Sequence, residues 1–315
     1  MTVETAIACT LCDSPKTVVI RTGVRDNPAE LVRVCNSCGY LFLEPPSYDL
    51  RTFYREEYRK TYSNTPGTVL APQQHFDMMK PLAALTIEAV KELIPKGAKI
   101  LEIGCSSGFL LDALREDYEV CGNEWNPEDA AFVRDTLKIP CSEEPLEDAY
   151  PGQTFSAIIA LQVLEHIPRP LEWLRLLKSR LIGGGWLYLE VPNSDDALAS
   201  VYRLPEFQER WFRKSHLGYF NMHNLAGALS VVGFEAQIRQ RQRYSLGNHL
   251  WWQFIREPMP DAQKAQSVFQ PVPKEHPASY VLNRWFTRID REYRGLLDGL
   301  KACDTLIAAG RKREI

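Results

Sequence analysis

The sequence predicts an α/β protein in which helices cover both faces of a mainly parallel sheet, with a small cysteine-rich unit in front of it. Two observations predict this class: helix-like and strand-like apolar patterns alternate along residues 76–192, and two C-x-x-C pairs lie within the first 40 residues. At 315 residues, one large domain plus a smaller unit is expected, because single cores stop growing beyond ~250 to 300 residues.

Composition and charge exclude several other classes. The chain is 45% hydrophobic and 24% charged, as in ordinary globular proteins, and its net charge of −3 argues against a nucleic-acid binder with a cationic surface. It has no apolar run long enough to span a membrane, and residues 1–5 carry an acid where a secretory signal would be basic. We therefore expect a cytoplasmic protein without membrane contact.

The first predicted element is a zinc ribbon over residues 1–44. Its four ligands would be two C-x-x-C pairs separated by 22 residues, Cys9, Cys12, Cys35 and Cys38. Two residues between paired cysteines let one tight turn present both sulfurs to an ion, and Gly39 would tolerate the positive φ of such a turn. Redox pairs or reduced bystanders are the alternatives, but four thiolates leave no open position on the metal, which favours a structural role.

The other elements are justified by apolar spacing and by turn residues. Prolines and a glycine bracket an aromatic, charged stretch in residues 45–75, which predicts a linker with helical character. The domain itself is expected to run from residue 76 to 315. Its helices are expected at 76–93, 109–115 and 278–302, and the strands of the chain at 17–20, 31–34, 99–103, 118–122, 155–161, 185–191 and 304–309.

A glycine-rich turn at residues 104–108 joins the first strand of this domain to the next helix, where ligand polar groups can approach backbone N–H groups. Glu124 ends the following strand, 22 residues after Glu102, and an acid there can accept ribose hydroxyl groups, which indicates an adenosine-containing ligand. The glycines do not match the dinucleotide fingerprint. The pattern E-x-G-x-x-x-G instead places Glu102 where it would repel a pyrophosphate but suit an ammonium and a sulfonium.

With these segments the chain resembles the class I S-adenosylmethionine-dependent methyltransferases, specifically the bacterial group with an N-terminal four-cysteine zinc ribbon. The resemblance covers about residues 5–240. It implies a Rossmann-like seven-stranded methyltransferase sheet, with a helical insertion before the last strand. Besides the cysteine pairs, it rests on LEIGCSSG at 101–108, GNEWNP at 122–127, FSAII at 155–159, VLEHIP at 163–168 and EVPN at 190–193.

The resemblance also implies which residues bind the cofactor. Glu102, Gly104 and Gly108 should line the methionine part, Glu124 should hold the ribose, and Trp125 should flank the adenine. Glu147 or Asp148 would face the adenine edge, although both are equally interpretable as solvated loop acids. Gln162 follows the fourth strand at the cofactor, and Cys105 lies beside the expected sulfonium, where its small size alone would explain it. The chain departs from the fullest family motif at Ser106, where glycine is usual, and at Ser156, where an Asp usually follows the Phe.

Methyl transfer needs alignment and, for a hydroxyl or an acidic carbon, removal of a proton, for which histidine is the readiest base near neutral pH. His166 and His216 are the candidate bases, with Tyr219 as an accessory; the alternatives are that His166 caps a helix start and that His216 orders a loop. Glu165 and His166 could ligate a divalent ion, but two ligands are too few to define a site. His75 and His276 are expected in solvated loops.

The C-terminal part is expected to select the acceptor. Residues 200–256 contain eight arginines and lysines against three glutamates, which favours an anionic ligand, although a solvated strand face would explain Arg239, Arg241 and Arg243. A proline-rich loop and an apolar helix form an insertion over residues 258–302. We expect this insertion and Trp251–Trp252 to wall the acceptor pocket.

Together these observations predict a methyltransferase that uses S-adenosylmethionine and a structural zinc ion. The expected acceptor is a small or carbohydrate-like molecule, including anionic ones such as sugar nucleotides, and the expected reaction is O-methylation. Sugar C-methylation is the main alternative, because sugar C-methyltransferases resemble this chain in having a four-cysteine zinc module. An RNA methyltransferase and a zinc-dependent binding module are further alternatives, of which the net charge disfavours the RNA enzyme.

Overall fold

The computed structural model describes residues 7–61 and 69–313. The expectations for the acidic N-terminus at residues 1–5 and for the linker at residues 62–68 fall on residues outside this range. The strands are β1 Thr17–Val24, β2 Asn27–Cys35, β3 Leu41–Leu43, β4 Lys99–Ile103, β5 Glu119–Asn123, β6 Cys141–Ser142, β7 Phe155–Leu161, β8 Leu181–Pro192, β9 Gly218–Tyr219, β10 Phe234–Arg241 and β11 Thr305–Lys312.

The helices connect these strands and form one insertion. They are α1 Leu50–Thr52, α2 Tyr58–Thr61, α3 Pro72–Met79, α4 Ala84–Leu93, α5 Phe109–Leu114, α6 Pro127–Ala131, α7 Pro170–Arg180, α8 Ala197–Ser200, α9 Pro205–Trp211, α10 Met222–Val232, α11 Leu246–Ile255, α12 Ala262–Gln266 and α13 Ser279–Gly299. Short π-helical turns follow α1 and α6, and 3₁₀ turns occupy Lys80–Ala83 and Leu164–His166. Among the described residues, none of these helices is both long and apolar enough to span a membrane.

The large sheet has seven strands in the order β10-β11-β8-β7-β4-β5-β6. The pairs β8–β7, β7–β4, β4–β5 and β5–β6 are parallel, and β11 is antiparallel to both β8 and β10. Helices α11 to α13 lie in the connection between β10 and β11, which places them before the last strand of the sheet. The predicted fold class, a seven-stranded α/β sheet with a helical insertion, is therefore confirmed.

Two hydrophobic layers pack against opposite faces of this sheet. One contains Leu174 and Leu177 of α7 with Leu225 and Leu229 of α10, and the other contains side chains of α4, α5 and α6. The strands β4 and β7 are buried along almost their whole length because both of their faces are covered, and most of their residues are apolar. This explains why their bounds could be predicted from the sequence.

A second sheet joins the N-terminal residues to the later part of the chain. Its order is β1-β2-β3-β9, so the last strand comes from residues 218–219. Leu41 pairs with Tyr219 and Phe42 with Gly218. Tyr40, next to β3, is fully buried in the same hydrophobic cluster as the large sheet. The cysteine-rich unit therefore shares its core with the rest of the protein.

Several parts of the chain differ from the sequence prediction, and three of them have a local explanation. The helix expected over residues 76–93 is divided at a 3₁₀ turn, because Pro81 cannot donate the backbone hydrogen bond of a continuous helix. The proline-rich loop contains the short helix α12. Strand β6 was not predicted, since its two residues are too few to show a periodic pattern.

Candidate active site

A cavity of about 860 Å³ opens at the carboxyl ends of β4, β5, β7 and β8. Parallel α/β sheets bind ligands at this edge, because the loops that follow the strands converge there. Glu102, Gly104, Glu124 and Gln162 line one part of the cavity, and His166 lies in the same wall. The structure therefore brings the main predicted site residues together.

The glycine-rich turn forms the floor of this part. Gly104 has φ +66° and Gly108 has φ +72°, and a Cβ on Gly104 would lie 2.7 Å from Val163 Cγ2, so glycine is required there on both counts. Ser106, where the family motif has glycine, has φ +48°, the left-handed conformation that costs a non-glycine residue about 1 kcal/mol. The departure from the motif is thus accommodated with local backbone strain. Gly108 caps the N-terminus of α5 and does not itself line the cavity.

Glu124 is held in place by two backbone groups. Its carboxyl oxygens accept hydrogen bonds from Ser106 N at 2.8 Å and Asn126 N at 2.7 Å. Trp125 lines the cavity beside it, and its buried Nε1 has no hydrogen-bond acceptor among the described residues. A rigidly held carboxylate and an unused donor are suited to a polar ligand.

Glu102 and Gln162 also carry polar atoms without partners in the described part of the chain. Burial raises the pKa of the Glu102 carboxyl group well above its usual value, and its Oε2 is not hydrogen-bonded. The Gln162 side chain has an unpaired buried Nε2, and its backbone has φ +56°. A ligand ammonium beside Glu102 would favour the ionised carboxylate, so these orphaned groups fit a cofactor with a charged amino end.

Two further predicted cofactor residues, Cys105 and Asp148, do not line the cavity. Cys105 is buried away from the cavity, with its Sγ 3.8 Å from Cys141 Sγ, and packs in the layer of α4 and α5. Of the two acids left open by the sequence, Glu147 lines the cavity and Asp148 does not.

The predicted catalytic residues form a buried group that reaches the cavity through His166. His166 Nδ1 donates to Ser215 O at 2.6 Å, and its Nε2 lies 3.9 Å from Glu165 Oε1. Burial lowers the pKa of His166 to about 3 and raises the pKa of Glu165 to about 8. Near neutral pH the imidazole is thus neutral, with its lone pair on Nε2 because Nδ1 carries the proton.

His216 and Tyr219 lie farther from the cavity than His166, which lines it. The His216 ring centroid is 4.9 Å from that of His166, its Nε2 contacts Arg213, and neither His216 nor Tyr219 lines the cavity. The Tyr219 hydroxyl accepts a hydrogen bond from Arg213 N at 3.1 Å. Ligand atoms of Glu165, His166 and His216 lie within 4.8 Å of one another, a spacing at which such a set could hold a cation.

A second polar group lies where β8 and β10 end. Glu190 Oε1 accepts from Thr86 Oγ1 at 2.8 Å, Tyr188 Oη at 3.1 Å and Arg241 Nη1 at 2.9 Å. Thr86, Glu190 and Arg241 line the cavity, whereas Arg239 is exposed on the surface. Only some of the basic side chains of residues 200–256 therefore line the cavity.

The insertion reaches the cavity through Gln266 and Arg294, not through the tryptophan pair. Trp252 packs against Leu204 and Phe207, and neither Trp251 nor Trp252 lines the cavity. The expectation that these tryptophans wall the pocket is wrong, because α11 turns Trp252 into a separate small core.

Residues of the linker cover the cavity, which sequence reasoning missed. Tyr54 lies between Trp125 and His166, at ring-centroid distances of 6.1 and 5.6 Å, and Arg59 forms a 2.7 Å ion pair with Asp129. His75, expected in a solvated loop, lies in α3 and its Nδ1 is 2.9 Å from Ser107 Oγ. The aromatic run in residues 53–62 was the available signal.

The four predicted zinc ligands form a separate cluster. Their sulfur atoms lie within 4.8 Å of one another, with Cys9 Sγ 3.8 Å from Cys38 Sγ and Cys12 Sγ 3.6 Å from Cys35 Sγ. A tetrahedral ion about 2.3 Å from each sulfur would place the sulfurs about 3.8 Å apart, so this geometry fits zinc. The backbone supports it, since Gly39 has the expected positive φ of 70°.

Comparison with known proteins agrees with the fold. Residues 74–237, more than half of the chain, match the family model described as "Methyltransferase domain". The chain belongs to this family, and its architecture is that of a class I S-adenosylmethionine-dependent methyltransferase.

Individual relatives are distant. A ubiquinone biosynthesis O-methyltransferase of Xanthomonas campestris pv. campestris is 29% identical over 134 residues, which are 40% of this chain and 55% of that protein. The protein of the same name from Bordetella avium is 23% identical over 132 residues, 39% of this chain and 55% of its own length. The chain thus spans about half the length of these curated relatives.

A solved structure supports the fold. It is a chain of the Haloferax volcanii complex between a methyltransferase activator and a methyltransferase, with a TM-score of 0.51 and 17% identity. The match covers 78% of this chain and 96% of that chain.

Proposed function

We propose that this protein transfers the methyl group of S-adenosylmethionine to an oxygen of a small or carbohydrate-like acceptor. The observation that carries this proposal is the cavity, which joins the Glu102–Glu124 end to the buried Glu165–His166 pair. Its volume of about 860 Å³ is near the upper end for ligand pockets, so a cofactor and a small acceptor can be bound together.

The cofactor would be held by the acids and the turn at the first end. Glu102 would face the amino group, Glu124 the two ribose hydroxyls, and Trp125 and Glu147 the adenine. Gln162 would donate its unpaired Nε2 to the methionine carboxylate. The support for these roles is the set of orphaned polar atoms and the fixed Glu124 carboxylate.

The bound cofactor supplies an electrophilic methyl group on a sulfonium. His166 would accept the proton of the acceptor hydroxyl on Nε2, because Nδ1 is anchored to Ser215 O. The acceptor oxygen would take this methyl group, and S-adenosylhomocysteine would be released. A positive charge formed on the His166 ring would favour ionisation of the Glu165 carboxyl group, whose Oε1 lies 3.9 Å from Nε2, while His216 and Tyr219 would keep the loop of Ser215 in position.

We also propose the domain division that the sequence predicts. Residues 1–44 would form a ribbon whose four thiolates hold a structural zinc ion, and residues 45–75 a linking segment. Residues 76–315 would form the methyltransferase domain, in which the insertion over 258–302 caps the acceptor end. The cysteine spacing and the cavity contacts of Gln266 and Arg294 support this division.

The test uses S-adenosylmethionine labelled with ¹³C in its methyl group and a panel of catechols and nucleotide-linked sugars. A product in which the labelled methyl is attached to oxygen is expected, and NMR separates it from a methyl on carbon. Label found only on carbon would contradict O-methylation and favour sugar C-methylation. Failure of S-adenosylhomocysteine to bind the full chain in calorimetry would overturn the whole proposal.

His166→Gln tests the assigned base. We expect turnover to fall by roughly 100-fold or more, with the affinity for S-adenosylhomocysteine unchanged. His223→Gln is the matched control, because His223 is exposed on α10. Equal turnover of the two variants would show that His166 is not the base.

A further inference from the structure

Three arginines line the end of the cavity that lies away from the glycine-rich turn. They are Arg241, Arg243 and Arg294. Their terminal nitrogens are used differently, and of these three only Arg243 has neither Nη1 nor Nη2 in a hydrogen bond to a described residue of the protein.

Arg241 and Arg294 are engaged within the protein. Arg241 Nη1 donates to Glu190 at 2.9 Å and to Thr86 at 3.2 Å. Arg294 Nε donates to Asp290 at 2.9 Å, and its Nη1 donates to the carbonyls of Gln242 and Arg243 at 2.7 and 3.0 Å. Each of these two side chains therefore has at least one terminal nitrogen bound within the protein, and each is paired with a carboxylate.

Arg243 differs in the use of its terminal nitrogens. Its Nε donates to Asp304 Oδ1 at 3.4 Å, but Nη1 and Nη2 have no hydrogen-bond partner in the described part of the chain. The side chain is 28% exposed and lines the cavity. Two adjacent free N–H groups in one plane match the geometry of a carboxylate or a phosphate.

The backbone around Arg243 is fixed from both sides. Asp304 Oδ2 accepts from Arg243 N at 2.8 Å and from Tyr244 N at 2.9 Å, while Arg294 of α13 donates to the carbonyls of Gln242 and Arg243. Asp304 is buried and does not line the cavity. A guanidinium anchored at its base and free at its tip is preorganised for a ligand, which lowers the entropy lost on binding.

The local charge is also suited to an anion. At this end the cavity lining contains three guanidinium groups and the single carboxylate of Glu190, among the described residues. The other acids of the lining, Glu102, Glu124, Asp129 and Glu147, belong to the first end. An acceptor with one negative group would therefore be oriented with that group away from the acids.

We propose that Arg243 binds an anionic group of the methyl acceptor, a carboxylate or a phosphate, through Nη1 and Nη2. This inference rests on the proposed function, since it assumes that this end of the cavity holds the acceptor. It makes Arg243 a specificity-determining residue and Arg294 a positioning residue supplied by the insertion.

The test measures binding of three ring probes to the full chain saturated with S-adenosylhomocysteine. The probes are benzoate, phenyl phosphate and the neutral benzyl alcohol, titrated by ligand-observed NMR. We expect one of the anions to bind about tenfold more tightly than benzyl alcohol, as one paired guanidinium would give. The favoured anion distinguishes a carboxylate from a phosphate acceptor.

Variants assign the preference to Arg243. Arg243→Gln should abolish the preference without changing benzyl alcohol binding, whereas Arg243→Lys should keep part of it. Arg239→Gln removes a nearby exposed arginine and should have no effect. Thermal unfolding and the affinity for S-adenosylhomocysteine establish that each variant is folded.

Each outcome decides the matter. No preference for either anion, or a preference that survives in Arg243→Gln, would overturn the inference while S-adenosylhomocysteine binding leaves the proposed function standing. Failure of S-adenosylhomocysteine to bind the unaltered protein would overturn both.

Discussion

Replacing Glu124 with glutamine is the most direct test of the cofactor end. Both carboxyl oxygens accept a backbone hydrogen bond, at 2.8 Å from Ser106 N and 2.7 Å from Asn126 N, and each keeps a second lone pair for a ribose hydroxyl. The glutamine would turn its amino group toward one of these backbone donors. One ribose hydrogen bond would then be lost, and the other would lose its charge assistance.

The expected size of the effect follows from these two changes. A charge-assisted hydrogen bond contributes about 2 kcal/mol and loss of charge assistance on the second costs about 1 kcal/mol, so binding weakens by roughly 3 kcal/mol. This corresponds to a roughly 100-fold higher Kd for S-adenosylhomocysteine, measured by isothermal titration calorimetry. Glu128→Gln removes the same charge from an exposed position of α6 and should change the Kd less than about twofold.

A second measurement separates charge from shape. Burial raises the pKa of Glu124, so its carboxylate becomes protonated at a higher pH than that of an exposed glutamate. The affinity for S-adenosylhomocysteine should therefore begin to fall at that higher pH as the solution is acidified. The glutamine variant should lack this dependence. A Kd change below about fivefold in a folded Glu124→Gln variant would refute the reasoning that Glu124 holds the ribose.

Three further predictions concern stability. Cys35→Ser should lower the zinc content below the one ion per chain expected, as measured by metal analysis, and should lower the unfolding temperature. Cys121→Ser, which lies away from the cluster, should leave the zinc content unchanged. Asp196→Asn should remove a pH dependence of stability, because burial raises the pKa of Asp196 to about 8. Its contribution to stability is present below the unfolded pKa near 3.8 and is lost as pH rises to about 8, with a slope of roughly 1.4 kcal/mol per pH unit. The free energy of unfolding in urea, measured for both proteins at several pH values, should therefore change differently with pH, and the same change in both would contradict this. Gly218→Ala should destabilise the protein by about 2 kcal/mol or more in the same assay, since the new Cβ would overlap the hydroxyl of buried Tyr40, and an unchanged midpoint would contradict that packing.

The parts of the fold that could be predicted are those whose signal is local. Strands β4 and β7 are short, mainly apolar segments bounded by turns, and both were predicted with their observed ends. Gly104, Gly108 and Glu124 could likewise be predicted, because each is part of a short sequence motif. Strand β9, in contrast, consists of two residues that become a strand only by pairing with β3. No spacing within residues 218–219 could indicate this.

The acceptor end of the site was less predictable for a similar reason. Arg239, Arg241 and Arg243 look equivalent in the sequence, yet one is exposed, one is paired with Glu190 and one has free terminal nitrogens in the cavity. Their roles are decided by Asp304 and Glu190, which are distant in the chain. A charge count over residues 200–256 detects the arginines but not their partners.

The cysteine-rich unit and the loop of residues 215–219 stabilise each other. A strand as short as β9 has too few hydrogen bonds to persist without a partner, and β3 provides them, together with the bond from Leu43 N to Leu217 O at 3.0 Å. On the other side, Ser215 O accepts the hydrogen bond that fixes the His166 ring. His216 lies between these two attachments, so the geometry of the buried histidine pair depends on the N-terminal sheet. A ribbon of about 40 residues is itself too small to bury a sufficient core. The packing of Tyr40 against Phe220 contributes to holding it, and the zinc ion that we propose would contribute further.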